Sequence, residues 1–168
     1  MNIKEKQNLV INFVQKTCDI LGIEKKLNVV FQDGMFFKSN DVNALIDAKT
    51  WEILFNLNWM EEAGSLDVVL ACFHEVRHAY QMLNVMGILK TESDDRIATW
   101  KHDFDNYFIP DSKESIENDI FLHFDVEIDA ISFACYMMDK MFNVEAYIPE
   151  ITRNLIEERM KEIKDKWQ

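Results

Sequence analysis

Residues 73–81 read Phe-His-Glu-Val-Arg-His-Ala-Tyr-Gln and contain His-Glu-x-x-His, from His74 to His78. On a helix, two histidines four apart lie one turn apart on one flank, so both imidazoles can meet a single metal ion. Glu75 falls about 100° round from His74, close enough to reach a metal-bound water without being a ligand itself. The chemistry on offer is water activation. A catalytic zinc keeps three protein ligands and an open position, lowers the pKa of bound water towards ~7, and needs a neighbouring carboxylate to take the proton as the water attacks a carbonyl. Zn2+ is therefore the expected cofactor and Glu75 the expected general base. The competing reading is two histidines on the polar flank of a core helix. Cys72 points well away from both and is rejected as a ligand.

A third ligand is expected from Phe-Leu-His-Phe-Asp-Val-Glu-Ile-Asp-Ala, residues 121–130. His123 and Glu127 are four apart and share a face of a predicted helix, and Ala130 is small enough to let another helix approach. Glu127 is the expected ligand. Asp129 lies about 200° from Glu127 and forms a like-charge i,i+4 pair with Asp125, which either faces solvent or holds a cation or an arginine such as Arg77. A donor to a developing oxyanion is also required, with His123, Tyr107, His102 and Tyr80 as candidates. Trp100 and Phe104, one turn apart, read as packing.

These residues must be positioned by the surrounding elements. Ile3, Leu9, Val10, Phe13, Val14, Cys18 and Leu21 recur at helical spacing, and Gly22 sits where a helix would stop. Between 27 and 59 the pattern changes to strands: LNVVFQ, then 42–48 and 51–58 as a hairpin. Ser65 is a plausible N-cap for a helix running to Gly87, with Leu66, Val69, Leu70, Phe73 and Tyr80 as its apolar stripe. Residues 91–113 are acidic and aromatic and predict a short helix and a loop. Residues 114–142 predict one long helix, and Pro149 opens a last amphipathic helix carrying Ile151, Leu155, Met160, Ile163 and Trp167. The expected fold class is α+β in a single domain, residues 1–168, with a three- or four-stranded sheet and helix outweighing strand.

Composition narrows the function classes. Apolar residues make up 48% of the chain, with 12 Phe and 9 Met against 4 Gly and 2 Pro, which describes a helix-rich globule rather than a disordered chain. The formal charge of −12, with no run of Lys or Arg, disfavours nucleic acid and anionic membrane as partners. The start, MNIKEKQNLVINF, lacks the apolar core of a secretory signal, and no apolar stretch approaches the ~20 residues of a membrane span. Cys18, Cys72 and Cys135, odd in number and set in apolar helical patterns, read as buried free thiols, so a cytoplasmic location is expected.

HEVRHAYQ followed about fifty residues on by EIDAISFA resembles the gluzincin group of zinc metallopeptidases, particularly small members with HExRHxxQ and a later E-x-D-A helix. The resemblance implies that His74, His78 and Glu127 bind zinc and that Glu75 is the general base. It also implies a zincin-like architecture: a small sheet whose edge strand can pair with an extended peptide, packed on the active-site helix, then a helical half bearing the glutamate. Better-known members carry Asp four residues after the ligand glutamate to orient a histidine. Ile131 stands there in this chain, leaving Asp129 as the candidate substitute. The expected activity is that of a zinc metallopeptidase, an endopeptidase acting on a peptide or protein substrate. Two other classes use the same residues. One is a non-catalytic metal-binding domain in which His123 closes the coordination shell; the other is an inactive helical interaction module that docks through its acidic surface.

Overall fold

Ile3–Leu21 forms helix α1, and both of its ends are written locally. Asn2 accepts from the Glu5 amide at 3.0 Å while the Glu5 carboxylate accepts from the Asn2 amide at 2.7 Å, a reciprocal cap. Gly22, at φ +67°, ends the helix in the left-handed region, where the amides of Gly22 and Ile23 donate back to the carbonyls of Asp19 and Cys18. The computed structural model describes residues 1–37, 42–109 and 116–167, and the chain divides into two units, Met1–Met82 and Leu83–Gln168. Its architecture is mixed α+β, mostly helical, with a three-stranded sheet among the described residues.

In the first unit, β1 (Asn28–Gln32), β2 (Ala44–Asp47) and β3 (Glu52–Asn56) form a sheet of order β1-β3-β2. The expected hairpin is present, with Leu45 opposite Leu54 in the antiparallel β2–β3 pair. β1 joins on the other side of β3 in parallel, Val30 opposite Leu54. The hairpin turn places Trp51 at φ +58°, so the strand begins at Glu52 rather than at Trp51. It also ends two residues earlier than expected, because the Asn56 side chain accepts from the amides of Asn58 and Trp59 and starts the short helix α2 (Leu57–Glu62). The other end of α2 is closed by a buried lysine. Lys6 Nζ donates to the carbonyls of Met60, Glu61 and Ala63 at 2.6, 3.0 and 2.8 Å, using all three of its hydrogens.

Helix α3 (Ser65–Val85) carries the His-Glu-x-x-His segment. Its first turn starts one residue before the expected cap: the Gly64 carbonyl accepts from the Val68 amide, and Asp67 reaches back to the Gly64 amide at 3.0 Å. Gly87, at φ +70°, stops the chain as expected, with Gly87 and Ile88 donating to Asn84 and Leu83. Within the first unit, Phe73 packs edge-on against Phe13 of α1 at 5.9 Å, and Cys72 Sγ faces the Val10 carbonyl at 4.0 Å. Of the expected stripe, Val69, Phe73 and Tyr80 are buried, Leu70 is half-buried and Leu66 is exposed, and Val68, Cys72, Val76 and Ala79 are buried as well.

In the second unit, α4 (Asp94–Asp105) is started by Ser93, whose hydroxyl accepts from the Arg96 amide. The single long helix expected over 114–142 is two helices, α5 (Ile116–Leu122) and α6 (Asp125–Phe142). Positions 110–115, read as the end of a loop and the start of that helix, lie outside the described residues. No Gly or Pro makes the break. Phe124 is extended at ψ 135°, and its ring and that of Phe121 pack against Phe108 and Tyr107, so tertiary packing interrupts a sequence that is locally helical throughout. After a 3₁₀ turn over Glu150–Thr152, α7 (Arg153–Lys166) packs on α6. Its buried apolar positions are Ile156 and Ile163, whereas Ile151 and Leu155, expected on that face, are exposed. Ile128, Cys135, Ile148 and Ile156 form an apolar cluster in this unit, and Ile131 packs against it.

Candidate metal centre

The middle of α3 is unusual in what it buries. Glu75, Arg77, His78 and Gln81 are each less than a tenth exposed. A buried charge or imidazole is costly unless it is paired or coordinates a metal, so three of them and a buried amide within seven positions must be satisfied by protein groups or by an ion. The competing reading of a polar flank does not describe residues 75–81, all of which are buried.

Helical spacing brings the two imidazoles together, with His74 Nε2 and His78 Nε2 3.0 Å apart and the rings nearly perpendicular at 87°. His78 is oriented by its own helix: Nδ1 lies 2.8 Å from Gln81 Oε1, and because an amide oxygen only accepts, the neutral ring would carry its proton on Nδ1 and keep the Nε2 lone pair towards His74. Two nitrogens each bound at ~2.05 Å in tetrahedral zinc geometry sit about 3.4 Å apart, so the hydrogen-bonded pair would need to open by only ~0.4 Å to share one ion. Gln81 stands within HEVRHAYQ but is given no role by the sequence alone. Its signal was a polar residue three positions after a candidate ligand, on the same face of the helix.

Glu127 is placed by the second unit. It lies in the first turn of α6, where the positive end of the helix favours a carboxylate, and is 2% exposed. Phe124 supplies no side-chain cap, and the turn is held instead by α4, whose Asp103 Oδ2 accepts from the Val126 amide at 3.2 Å. The Tyr107 hydroxyl, just beyond α4, donates to Glu127 Oε1. The flanking acids are bound as well. Arg159 of α7 donates to Asp125 Oδ1 at 2.7 Å and to Asp129 Oδ1 at 3.2 Å, and Trp100 Nε1 donates to Asp125 Oδ2 at 3.0 Å. The Asp125–Asp129 pair therefore does hold an arginine, Arg159 of α7. Trp100 is fully buried, as a packing residue should be, and adds this hydrogen bond.

One nitrogen from each of His74 and His78 and one carboxylate oxygen of Glu127 lie within 4.8 Å of one another, a group that could hold a metal ion. No family model, curated protein or solved structure matches the chain.

The remaining candidates fall elsewhere. The break before α6 removes the shared helical face proposed for His123 and Glu127: His123 is exposed in the connection, its Nδ1 donating to the Asp119 carbonyl at 2.6 Å. Among the described residues the clustered donors are the three named, and His123 is not one of them. His102 is exposed beside Asp103 at 3.6 Å. Tyr80 is fully buried, with the Arg77 guanidinium 4.3 Å from its ring centroid. Cys72 is fully buried, and its thiol is pushed far up by burial and, secondarily, by the charge of Glu75, consistent with its rejection as a ligand. Cys18, Cys72 and Cys135 are all free and buried. Among the described residues no helix is long and apolar enough to cross a membrane.

Proposed function

We propose that this chain is a zinc-dependent peptidase of the gluzincin type, with a zincin-like fold, that hydrolyses peptide bonds in an extended peptide or protein segment. The observation that carries the reading is the convergence of His74, His78 and Glu127, donors of the N, N, O set that suits a catalytic zinc, with a buried Glu75 next to the first ligand. A zinc ion held there would supply Lewis-acid polarisation of the scissile carbonyl and lower the pKa of attacking water.

The chain's own residues supply the rest. Glu75 takes the proton from water and returns it to the leaving amine. Gln81 keeps His78 in the tautomer that offers Nε2. For the oxyanion the sequence offers His123, Tyr107, His102 and Tyr80 without ranking them. Tyr107 touches a candidate ligand, whereas His123 turns its ring to the Asp119 carbonyl. Strand β2, at the sheet edge and antiparallel to β3, supports binding of substrate as an added strand. Three buried free thiols support a cytoplasmic setting.

The experiment is Glu75→Gln. The variant is expected to retain metal at wild-type affinity and to lose about 10³-fold or more of turnover on a mixed peptide library read by mass spectrometry. Undiminished cleavage by Glu75→Gln would sink the assignment.

A further inference from the structure

We propose that Tyr107 is a positioning residue that fixes the carboxylate of Glu127 in a one-oxygen mode of metal binding. The inference rests on the metal-centre reading and assigns it an outer partner that the sequence suggested only as an oxyanion donor.

The Tyr107 hydroxyl carries one hydrogen and spends it on Glu127 Oε1. A carboxylate oxygen that accepts such a bond becomes a poorer donor to a cation, so coordination is biased towards Oε2 and away from chelation by both oxygens. That bias keeps a coordination position open, the property that separates a catalytic from a closed site. Glu127 is too buried to turn its carboxylate to water, so the orientation is set by protein groups.

The tyrosine is itself held in place. Its ring lies 5.4 Å from Phe121, 6.0 Å from Phe124 and 6.1 Å from Phe104, centroid to centroid. This cluster gathers the end of α4 and the α5–α6 break around a single ring. The backbone under Glu127 has a separate holder, because Asp103 caps the Val126 amide. Removing the hydroxyl should therefore release Glu127 Oε1 from this bond without disturbing the helix turn that bears it.

Tyr107→Phe keeps the ring and deletes only the hydroxyl. Zinc affinity measured with a competing chelator, the visible spectrum of the Co2+ form and the melting temperature of metal-free protein are compared in wild type, Tyr107→Phe and Glu127→Ala. The expected result is zinc binding about 10–100-fold weaker in Tyr107→Phe, the range typical of an outer-shell partner. A shifted Co2+ spectrum should accompany it, with the metal-free melting temperature unchanged. A purely packing role for Tyr107 would leave the spectrum where it is. Zinc affinity within twofold of wild type together with an unaltered Co2+ spectrum would overturn the inference and leave the metal centre standing. Wild type that binds neither ion, or Glu127→Ala that binds as tightly as wild type, would remove the metal-centre reading and this inference with it.

Discussion

Replacing Arg159 by methionine tests whether α6 is held by buried charge. Arg159 reaches Asp125 at 2.7 Å, Asp129 at 3.2 Å and Glu162 at 3.0 Å. Glu162 is half exposed and contributes ~0–0.5 kcal/mol, as surface pairs do. Asp129 is 1% exposed, and stripping a partner from a buried ion pair costs roughly 3–5 kcal/mol. The figure must be reduced here, because the Asp125 side chain is 24% and that of Arg159 12% exposed, and Arg96 remains 4.0 Å from Asp129. A loss of about 2–3 kcal/mol follows. With a slope of about 2 kcal/mol per molar urea for a chain of this size, the midpoint of unfolding of metal-free protein should fall by about 1–1.5 M. A midpoint shift below about 0.25 M would refute the argument: the network would then be a screened surface cluster.

Three further outcomes follow from particular residues. Gln81→Leu removes the oxygen that accepts from His78 Nδ1, and zinc affinity by chelator competition should fall about tenfold; an unchanged constant would mean that His78 is oriented by something else. Gly22→Ala introduces a Cβ that meets nothing within 4 Å, so only the left-handed backbone at φ +67° is strained, and urea unfolding should show a loss of about 1 kcal/mol, with Gly22→Asn losing less. Burial raises the Cys18 thiol, with help from Asp19, and the Cys135 thiol, each to about 11, and raises Cys72 further. Because thiolate is the reactive form, at pH 8 only about one part in 10³ of Cys18 or Cys135 is reactive. A disulfide-exchange reagent should leave the native protein unlabelled over minutes and titrate three thiols in denaturant; rapid labelling of the native state would contradict this burial.

The residues whose donors cluster were easier to read than the elements around them. His74, His78 and Glu127 could be named because ligand type and a four-residue spacing are local properties, and Gly22 and Gly87 announced helix ends through a backbone only glycine adopts readily. The argument that chose Glu127 was only partly sound: it assumed one continuous helix with His123, and packing of Phe121 and Phe124 breaks that helix at a point with no sequence breaker. The end of β3 was invisible for a similar reason. Trp51, Ile53, Phe55, Leu57 and Trp59 alternate without interruption, and only the Asn56 cap turns the last of them into helix. The parallel pairing of β1 with β3, and the choice of Arg159 for the Asp125–Asp129 pair, depend on residues distant in sequence, which periodicity does not encode.

The most direct test of the central claim is zinc stoichiometry and affinity by equilibrium dialysis with elemental analysis, comparing wild type with Glu127→Ala. The account predicts one zinc per chain in wild type, bound about 100-fold or more tighter than in Glu127→Ala, since loss of a ligand should exceed the effect of losing an outer partner. A wild-type chain that holds no zinc, or a Glu127→Ala variant that holds it equally well, would contradict it.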